Sequence, residues 1–301
     1  MYNYGMQQNT KDLFSKVIIR QYVLPDDEHG INKSNLSTHV DHCLSCNDCE
    51  QLSELIGCSL IDYCFDEAEQ QNKDVKSLLN IALNTRVKIK LESEKESALL
   101  KQGFFGEALL YTLLLSYFGA GTLICRGRLF NPASRGETPG YDAFHIIEQQ
   151  EELDLWFGEV KFYMDYKDAI KSVVESMKKS LSVEYLHTNL MAIINHENYL
   201  HNAKMTSILN SWKESGFLVT LDDLINKENI KLVYPALIIY DDKNMDYDEI
   251  IKRSIQAINE EAERHHIVIP GFCSVFFVLL PISDTRKTKL DVIEWIKTRR
   301  S

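Results

Sequence analysis

Asp154-Leu155-Trp156-Phe157-Gly158-Glu159-Val160-Lys161-Phe162-Tyr163 is the stretch on which the reading of this chain turns. Its apolar residues alternate with period 2, which predicts a strand over about 154 to 163. Leu155, Phe157, Glu159 and Lys161 then share one face, and Trp156, Gly158, Val160 and Phe162 the other. A carboxylate and an ammonium on one side of a core strand are costly to bury unless they pair or hold a metal ion. The tripeptide alone says little, because acid-x-Lys also starts at Asp74, Asp165 and Asp241. Only the instance at Glu159 lies inside an apolar period-2 run.

Working outward, Gly140-Tyr141-Asp142-Ala143-Phe144-His145 follows the turn-forming Pro139-Gly140 and opens a strand over about 141 to 148. A hairpin between this strand and the next would bring Asp142 toward Glu159. Upstream, a helix over about 99 to 118 carries Leu109, Leu110, Leu113 and Leu114 at helical spacing and stops at Gly119-Ala120-Gly121. Glu107 is its one charge between Gly103 and Cys125. A further strand is expected at 122 to 129. Downstream, Ile170, Val173, Val174, Met177 and Leu181 fall on one arc of a helix over 166 to 182. More helix fills 185 to 225. The end reads strand (231 to 241), helix (247 to 266), strand (272 to 282) and helix (288 to 299), whose apolar runs have the length of buried strands.

This pattern predicts a mixed α/β domain over residues 99 to 301, a mixed sheet flanked by helices. Residues 1 to 98 are heterogeneous: a strand-like run from Lys16 to Val23, a polar loop with a Cys cluster, then helices to about 84. They are read as an N-terminal accessory or partner-binding region. The whole chain has 301 residues, 45% of them hydrophobic and 26% charged, which excludes disordered and low-complexity classes. With 33 Lys+Arg against 44 Asp+Glu the net charge is −11, which argues against a broad basic face for nucleic acid. The start has neither a basic n-region nor an apolar h-region. The uncharged run from Ala108 to Cys125 approaches the ~20 residues of a membrane span but is broken by Gly119 and Gly121. A soluble, cytoplasmic protein without membrane contact is expected.

Glu107, Asp142, Glu159 and Lys161 together offer three carboxylates and one ammonium. That is a donor set for a hard cation such as Mg²⁺, which takes oxygen ligands and keeps several waters. The metal would polarise a phosphate and activate its water, and Lys161 would orient that water or stabilise charge in the transition state. Phosphodiester hydrolysis is the reaction that fits. Arg126, Arg128 and Arg135 before Asp142, and Lys167, Lys171 and Lys178 within a narrow arc of the following helix, are candidate phosphate contacts. His145 reads as a core or surface histidine rather than a site residue.

A helix Glu, then Asp, about 17 residues and Glu-x-Lys on a strand followed by a helix resembles the PD-(D/E)xK nuclease core. More narrowly, Gly106-Glu107-Ala108-Leu109-Leu110, Gly140-Tyr141-Asp142-Ala143-Phe144-His145 and Trp156-Phe157-Gly158-Glu159-Val160-Lys161-Phe162 resemble the HamA family of Hachiman antiphage defence. The similarity covers roughly residues 99 to 290. It implies a DNA nuclease using Mg²⁺ or Mn²⁺, held in check by a partner helicase, HamB, and released when DNA damage or phage replication is sensed. By that resemblance Asp142 and Glu159 match the metal-binding acids, Lys161 the catalytic lysine and Glu107 the helix acid. Tyr141 stands where the superfamily name has Pro.

The resemblance does not explain His39, His42, Cys43, Cys46 and Cys49. Their types and spacings are compatible with zinc, yet no second paired knuckle exists, and Ser53 stands where an iron–sulfur run wants a fourth Cys. Free thiols are the preferred reading of the seven cysteines. Two alternatives to a DNA nuclease stay open: a non-catalytic partner-binding or regulatory module on a nuclease-like scaffold, and an RNA-cleaving enzyme, since a metal site of this kind meets phosphate rather than sugar.

Overall fold

The longest apolar runs form the middle of one sheet. In a computed structural model that describes residues 8–23, 31, 40–46, 48–71, 73–131, 133, 136–137, 139–149 and 152–301, the chain begins with α1 (Gln8–Val17), β1 (Ile18–Val23) and β2 (His42–Cys46). Helices α2 (Cys49–Cys64), α3 (Glu67–Gln70), α4 (Val75–Thr85), α5 (Glu96–Leu100) and α6 (Phe104–Ser116) follow. Next come the short strands β3 (Gly121–Thr122), β4 (Phe130–Asn131) and β5 (Gly136–Glu137), then β6 (His145–Gln149), β7 (Glu152–Trp156) and β8 (Glu159–Phe162). The remainder is α7 (Tyr166–Ser180), α8 (Val183–Ile194), α9 (Ala203–Glu214), α10 (Leu221–Lys227), β9 (Ile230–Asp241), α11 (Tyr247–His265), β10 (Cys273–Ile282) and α12 (Thr285–Arg300).

The sheet runs β1-β2-β10-β9-β7-β6-β3, with β8 also pairing on β9. It is mixed: β10 is parallel to both β9 and β2, β7 and β8 are parallel to β9, and β1-β2, β6-β7 and β3-β6 are antiparallel. Helices cover both faces, which is why β9 and β10 are apolar almost without interruption. One core gathers Leu155, Phe157, Tyr234, Ile238 and Phe277 with the apolar arc of α7 and residues of α8 to α11. The other gathers Trp156, Val160, Phe162, Leu237 and Phe276 with α2, α4, α6 and α12. The mixed α/β sheet flanked by helices, the β6-β7 hairpin and the two faces of the motif strand are all as the pattern predicts.

Four expectations are corrected. The strand expected over 154 to 163 is two, β7 and β8, interrupted at Phe157 and Gly158. The cause lies on β9, where Pro235 packs against Gly158: proline has no N–H for the ladder, and a Cβ on residue 158 would stand 2.8 Å from its ring. The strand expected at 122 to 129 ends after Thr122, because the N–H groups of Leu123 and Ile124 both reach the Phe144 carbonyl. The chain then turns through a 3₁₀ segment, Arg126–Leu129, as Arg128 pairs with Asp66 and Glu69. The helix expected from 99 is broken at Lys101–Gly103, so Glu107 sits in the first turn of α6 rather than its middle. Finally, the strand-like run from Lys16 is helical through Val17, and β1 begins at Ile18.

Residue 98 does not mark a break in packing. β2 joins the sheet through β10, and Leu52, Leu55 and Ile56 of α2 lie in the same core as Leu109 and Leu113 of α6. Glu96–Ser116 is long and apolar enough by composition to cross a membrane, but here it is α5, a break and α6, and Phe105, Leu109 and Leu110 are buried in the core.

Candidate active site

Asp142, in the segment leading to β6, is braced twice against the motif strand. Its N–H donates to the Gly158 carbonyl at 2.9 Å, and its Oδ2 accepts from the Val160 N–H at 2.8 Å. These bonds fix the carboxylate across the strand break that Pro235 imposes. Helix α6 comes close to β8 at Gly106, where a Cβ would meet Val160 at 2.8 Å, and this approach sets Glu107 beside Asp142. A cleft of about 780 Å³ opens there. Its walls include Glu107, Asp142, Lys161, Lys101, Thr285 and Lys289.

Glu159 projects to the α7 side of β8. Lys161 Nζ and Ser176 Oγ reach its Oε1 at 2.5 and 2.7 Å, and Tyr234 OH and Ser180 Oγ reach its Oε2 at 2.5 and 3.4 Å. Each carboxylate oxygen thus has two donors, close to its full capacity. On the other side of the strand, the Tyr63 hydroxyl of α2 donates to Glu107 Oε2. The expected charges therefore meet around β8, with Glu107, Asp142 and Lys161 on the cleft and Glu159 behind Lys161.

The electrostatics of the cluster are strained toward the acids. Burial and the negative charges of Glu107 and Glu159 hold the Asp142 carboxyl well above the usual range, against the pull of the Val160 N–H and Lys161. For Lys161, burial lowers the pKa, but the charge of Glu159, the hydrogen bond to it and the charge of Asp142 outweigh that, so its pKa is raised and it is an ammonium at neutral pH. Glu107 and Asp142 on the cleft are two oxygen donors of the kind a hard divalent ion takes, with Lys161 as the cation beside them. Among the described residues no group of three or more His, Cys, Asp or Glu side chains stands together so as to hold a metal ion. Mg²⁺ needs only one or two carboxylates, the rest of its shell being water and substrate oxygen.

The candidate phosphate contacts are placed elsewhere. Arg126 is buried over the Phe144 ring, and Arg128 is paired with Asp66 and Glu69 and stacked on Tyr199. Lys167, Lys171 and Lys178 are exposed on α7, Lys171 facing Glu175 at 3.9 Å, and none of the five lines the cleft. Arg135 lies outside the described residues. His145 is fully buried with Nδ1 donating to the Ala120 carbonyl, and burial pushes its pKa down to about 4, so it is a neutral core group.

Among the described residues the members of the cysteine cluster do not converge on one point. Cys43 and Cys46 are an odd number of residues apart on β2, so they face opposite sides of the sheet: Cys43 lies in the α7-side core, while Cys46 and Cys49 pack on the α2 side. Cys49, first in α2, contacts Ser283 Oγ at 3.2 Å, and His39 lies outside the described residues.

Sequence reasoning missed Tyr63, Ser176, Ser180, Tyr234, Thr285 and Lys289. Ser176 and Ser180 carry a usable signal, because they are four residues apart on the helix that follows Glu-x-Lys and so present one face. Nothing local marks the others. Among known proteins, the family model described as HamA matches residues 14–296, nearly the whole chain. No curated protein and no solved structure matches.

Proposed function

The chain belongs to the HamA family, a component of Hachiman antiphage defence, and from that premise we propose that it is a Mg²⁺- or Mn²⁺-dependent DNA nuclease of the PD-(D/E)xK type. In this reading a HamB-like helicase restrains it in the cytoplasm until damaged or replicating phage DNA is sensed. One observation carries the proposal: Asp142, Glu107 and Lys161 meet in a single cleft, and burial, reinforced by the charges of Glu107 and Glu159, holds the Asp142 carboxyl well above its ordinary pKa. A divalent cation would relieve that repulsion.

When bound by Asp142 with Glu107 or Glu159, the metal ion would supply Lewis acidity to the scissile phosphate and a lowered pKa to an attacking water. The chain supplies position and charge. Asp142 is held rigid by its two backbone bonds to β8, so its carboxylate needs no reorganisation. The Lys161 ammonium stands on the same cleft wall, where it offsets negative charge developing on the phosphoryl oxygens. Glu159 keeps that ammonium in place through their 2.5 Å ion pair. The net charge of −11 fits a nuclease with weak attraction for DNA of its own, delivered by its partner.

One observation favours the scaffold reading: the four donors on Glu159 are what a structural ion pair would show. Degradation of plasmid, linear DNA and RNA with Mg²⁺ or Mn²⁺, alone and with the neighbouring helicase, decides between the two. DNA loss abolished by Asp142→Ala, Glu159→Ala and Lys161→Ala supports the nuclease. Folded protein that leaves DNA intact under every condition supports the scaffold, and loss of RNA alone moves the substrate.

Tyr63→Phe removes the donor on Glu107 while keeping the ring packed. About 1 kcal/mol of stability should be lost, and the Mg²⁺ concentration for half-maximal cleavage should rise severalfold with a smaller change in maximal rate. An unchanged metal requirement would assign Tyr63 to the core alone.

A further inference from the structure

We propose that Thr285 and Lys289 of α12 form a phosphate-binding step in the wall of the cleft, receiving a backbone phosphate of a nucleic-acid strand; the inference rests on the nuclease reading of the same cleft. The two residues are four apart, so one helix face presents both, and both line the cleft shared with Asp142 and Lys161.

Thr285 is 1% exposed, yet its Oγ1 has no hydrogen-bond partner among the described residues, while its N–H is already taken by Asp241 Oδ1 at 2.7 Å. Buried hydroxyls in native proteins are nearly always bonded, and one that is not, in the wall of a cleft, is a donor awaiting a ligand. Lys289 is 8% exposed and makes no ion pair among the described residues. Two of its three N–H donors go to the Leu100 and Phe162 carbonyls, at 3.1 and 2.5 Å, and the Phe105 and Phe162 rings lie 5.6 and 4.7 Å away. One donor remains, and although burial pushes the pKa down to about 8 against the pull of Asp241, the ammonium keeps most of its charge at neutral pH. A lysine this buried without a carboxylate partner is exceptional.

The charges around it sort by sign. Asp241 acts on Lys289 from the end of β9, Asp165 is occupied by Lys243 at 2.5 Å, and Arg286 at the cleft rim is held by Glu96 at 2.6 Å. The Thr285 hydroxyl and the spare Lys289 N–H therefore make a donor pair for an anion. Because Lys289 grips the carbonyl of the residue after Lys161, the anion it holds is a phosphate beside the one the acids address.

The test is DNA binding by fluorescence anisotropy, with labelled duplex and single-stranded DNA in EDTA and in Ca²⁺, over a salt series and against free dAMP. Thr285→Val keeps the side-chain volume and removes a hydroxyl that bonds nothing among the described residues. A structural role predicts unchanged affinity, whereas the phosphate step predicts binding weakened about three- to tenfold with no fall in melting temperature. Lys289→Met should weaken binding at least about tenfold and reduce the log Kd against log salt slope by about 0.9 on duplex or 0.7 on single strands. Wild-type affinity and slope in both variants overturn the inference, as does binding of dAMP without the polymer, or no DNA binding by the wild-type protein. The nuclease reading falls separately, if the folded wild-type protein binds DNA yet leaves it intact with Mg²⁺ or Mn²⁺, alone and with the neighbouring helicase.

Discussion

Asp142→Asn is expected to lower DNA cleavage by at least about 10³-fold and at the same time to make the protein more stable. Asn is isosteric, and its carbonyl oxygen can still accept from the Val160 N–H, so the brace across the strand break survives. What disappears is a negative charge gathered with Glu107 and Glu159. Relieving a poorly compensated buried charge should add about 1 kcal/mol, the usual trade of function against stability. The sign with pH follows from the raised pKa. The folded state holds the Asp142 proton more tightly than the unfolded chain, so as pH rises above the unfolded value of about 4 the wild type loses stability until the folded pKa is passed. Asn has no such proton, and the advantage of the variant should widen over that window. Mg²⁺ should raise the melting temperature of the wild type and not of the variant. Urea titrations across pH, with and without Mg²⁺, provide the check. A variant that is less stable, or one that still cuts DNA at the wild-type rate, would remove Asp142 from the site.

Gly158→Val should destabilise the fold by about 3 kcal/mol and abolish activity with it. A Cβ at 158 would stand 2.8 Å from Pro235 Cγ, 2.9 Å from its carbonyl oxygen and 3.2 Å from Leu110. The carbonyl belongs to the central strand β9 and cannot yield as a side-chain tip could. Moving it would displace Ala236 and Leu237, which register with Glu159 and Val160, and would strain the Asp142 N–H bond to the Gly158 carbonyl. Gly271→Ala is the control, since nothing lies within 4 Å of its Cβ position, and it should be close to neutral. Denaturant melts of the two variants measure the difference. Equal stabilities would mean that the sheet tolerates a side chain at the break.

Much of the candidate site was legible because its signals are local. Period-2 alternation placed Glu159 and Lys161 on one face, and the hairpin that would bring Asp142 back to the strand, raised there as a condition, is present as β6-β7. The apolar arc of α7 and the runs of β9 and β10 were equally clear, with ends within a few residues of those observed. The strand break was not legible, since its cause, Pro235, lies far along the chain. Arg126 and Arg128 looked like phosphate contacts because their charge is visible in sequence, whereas the Phe144 ring and the Asp66 and Glu69 carboxylates that hold them are not.

By itself the sequence determined the mixed α/β class, the strand that carries Glu159 and Lys161, the acids Glu107 and Asp142, and the resemblance to a defence family that the whole-chain match then bore out. Each of these depends on residue type and on spacing within a segment, which backbone geometry converts directly into faces and turns. Only the tertiary structure decided that Tyr63 holds Glu107, that Ser176, Ser180 and Tyr234 saturate Glu159, and that Thr285 and Lys289 stand in the same cleft. Those pairings join segments from about 20 to more than 100 residues apart, and they are set by how helices on both faces of the sheet bury their apolar sides. Nothing in the local pattern of a segment records which distant side chain will meet it.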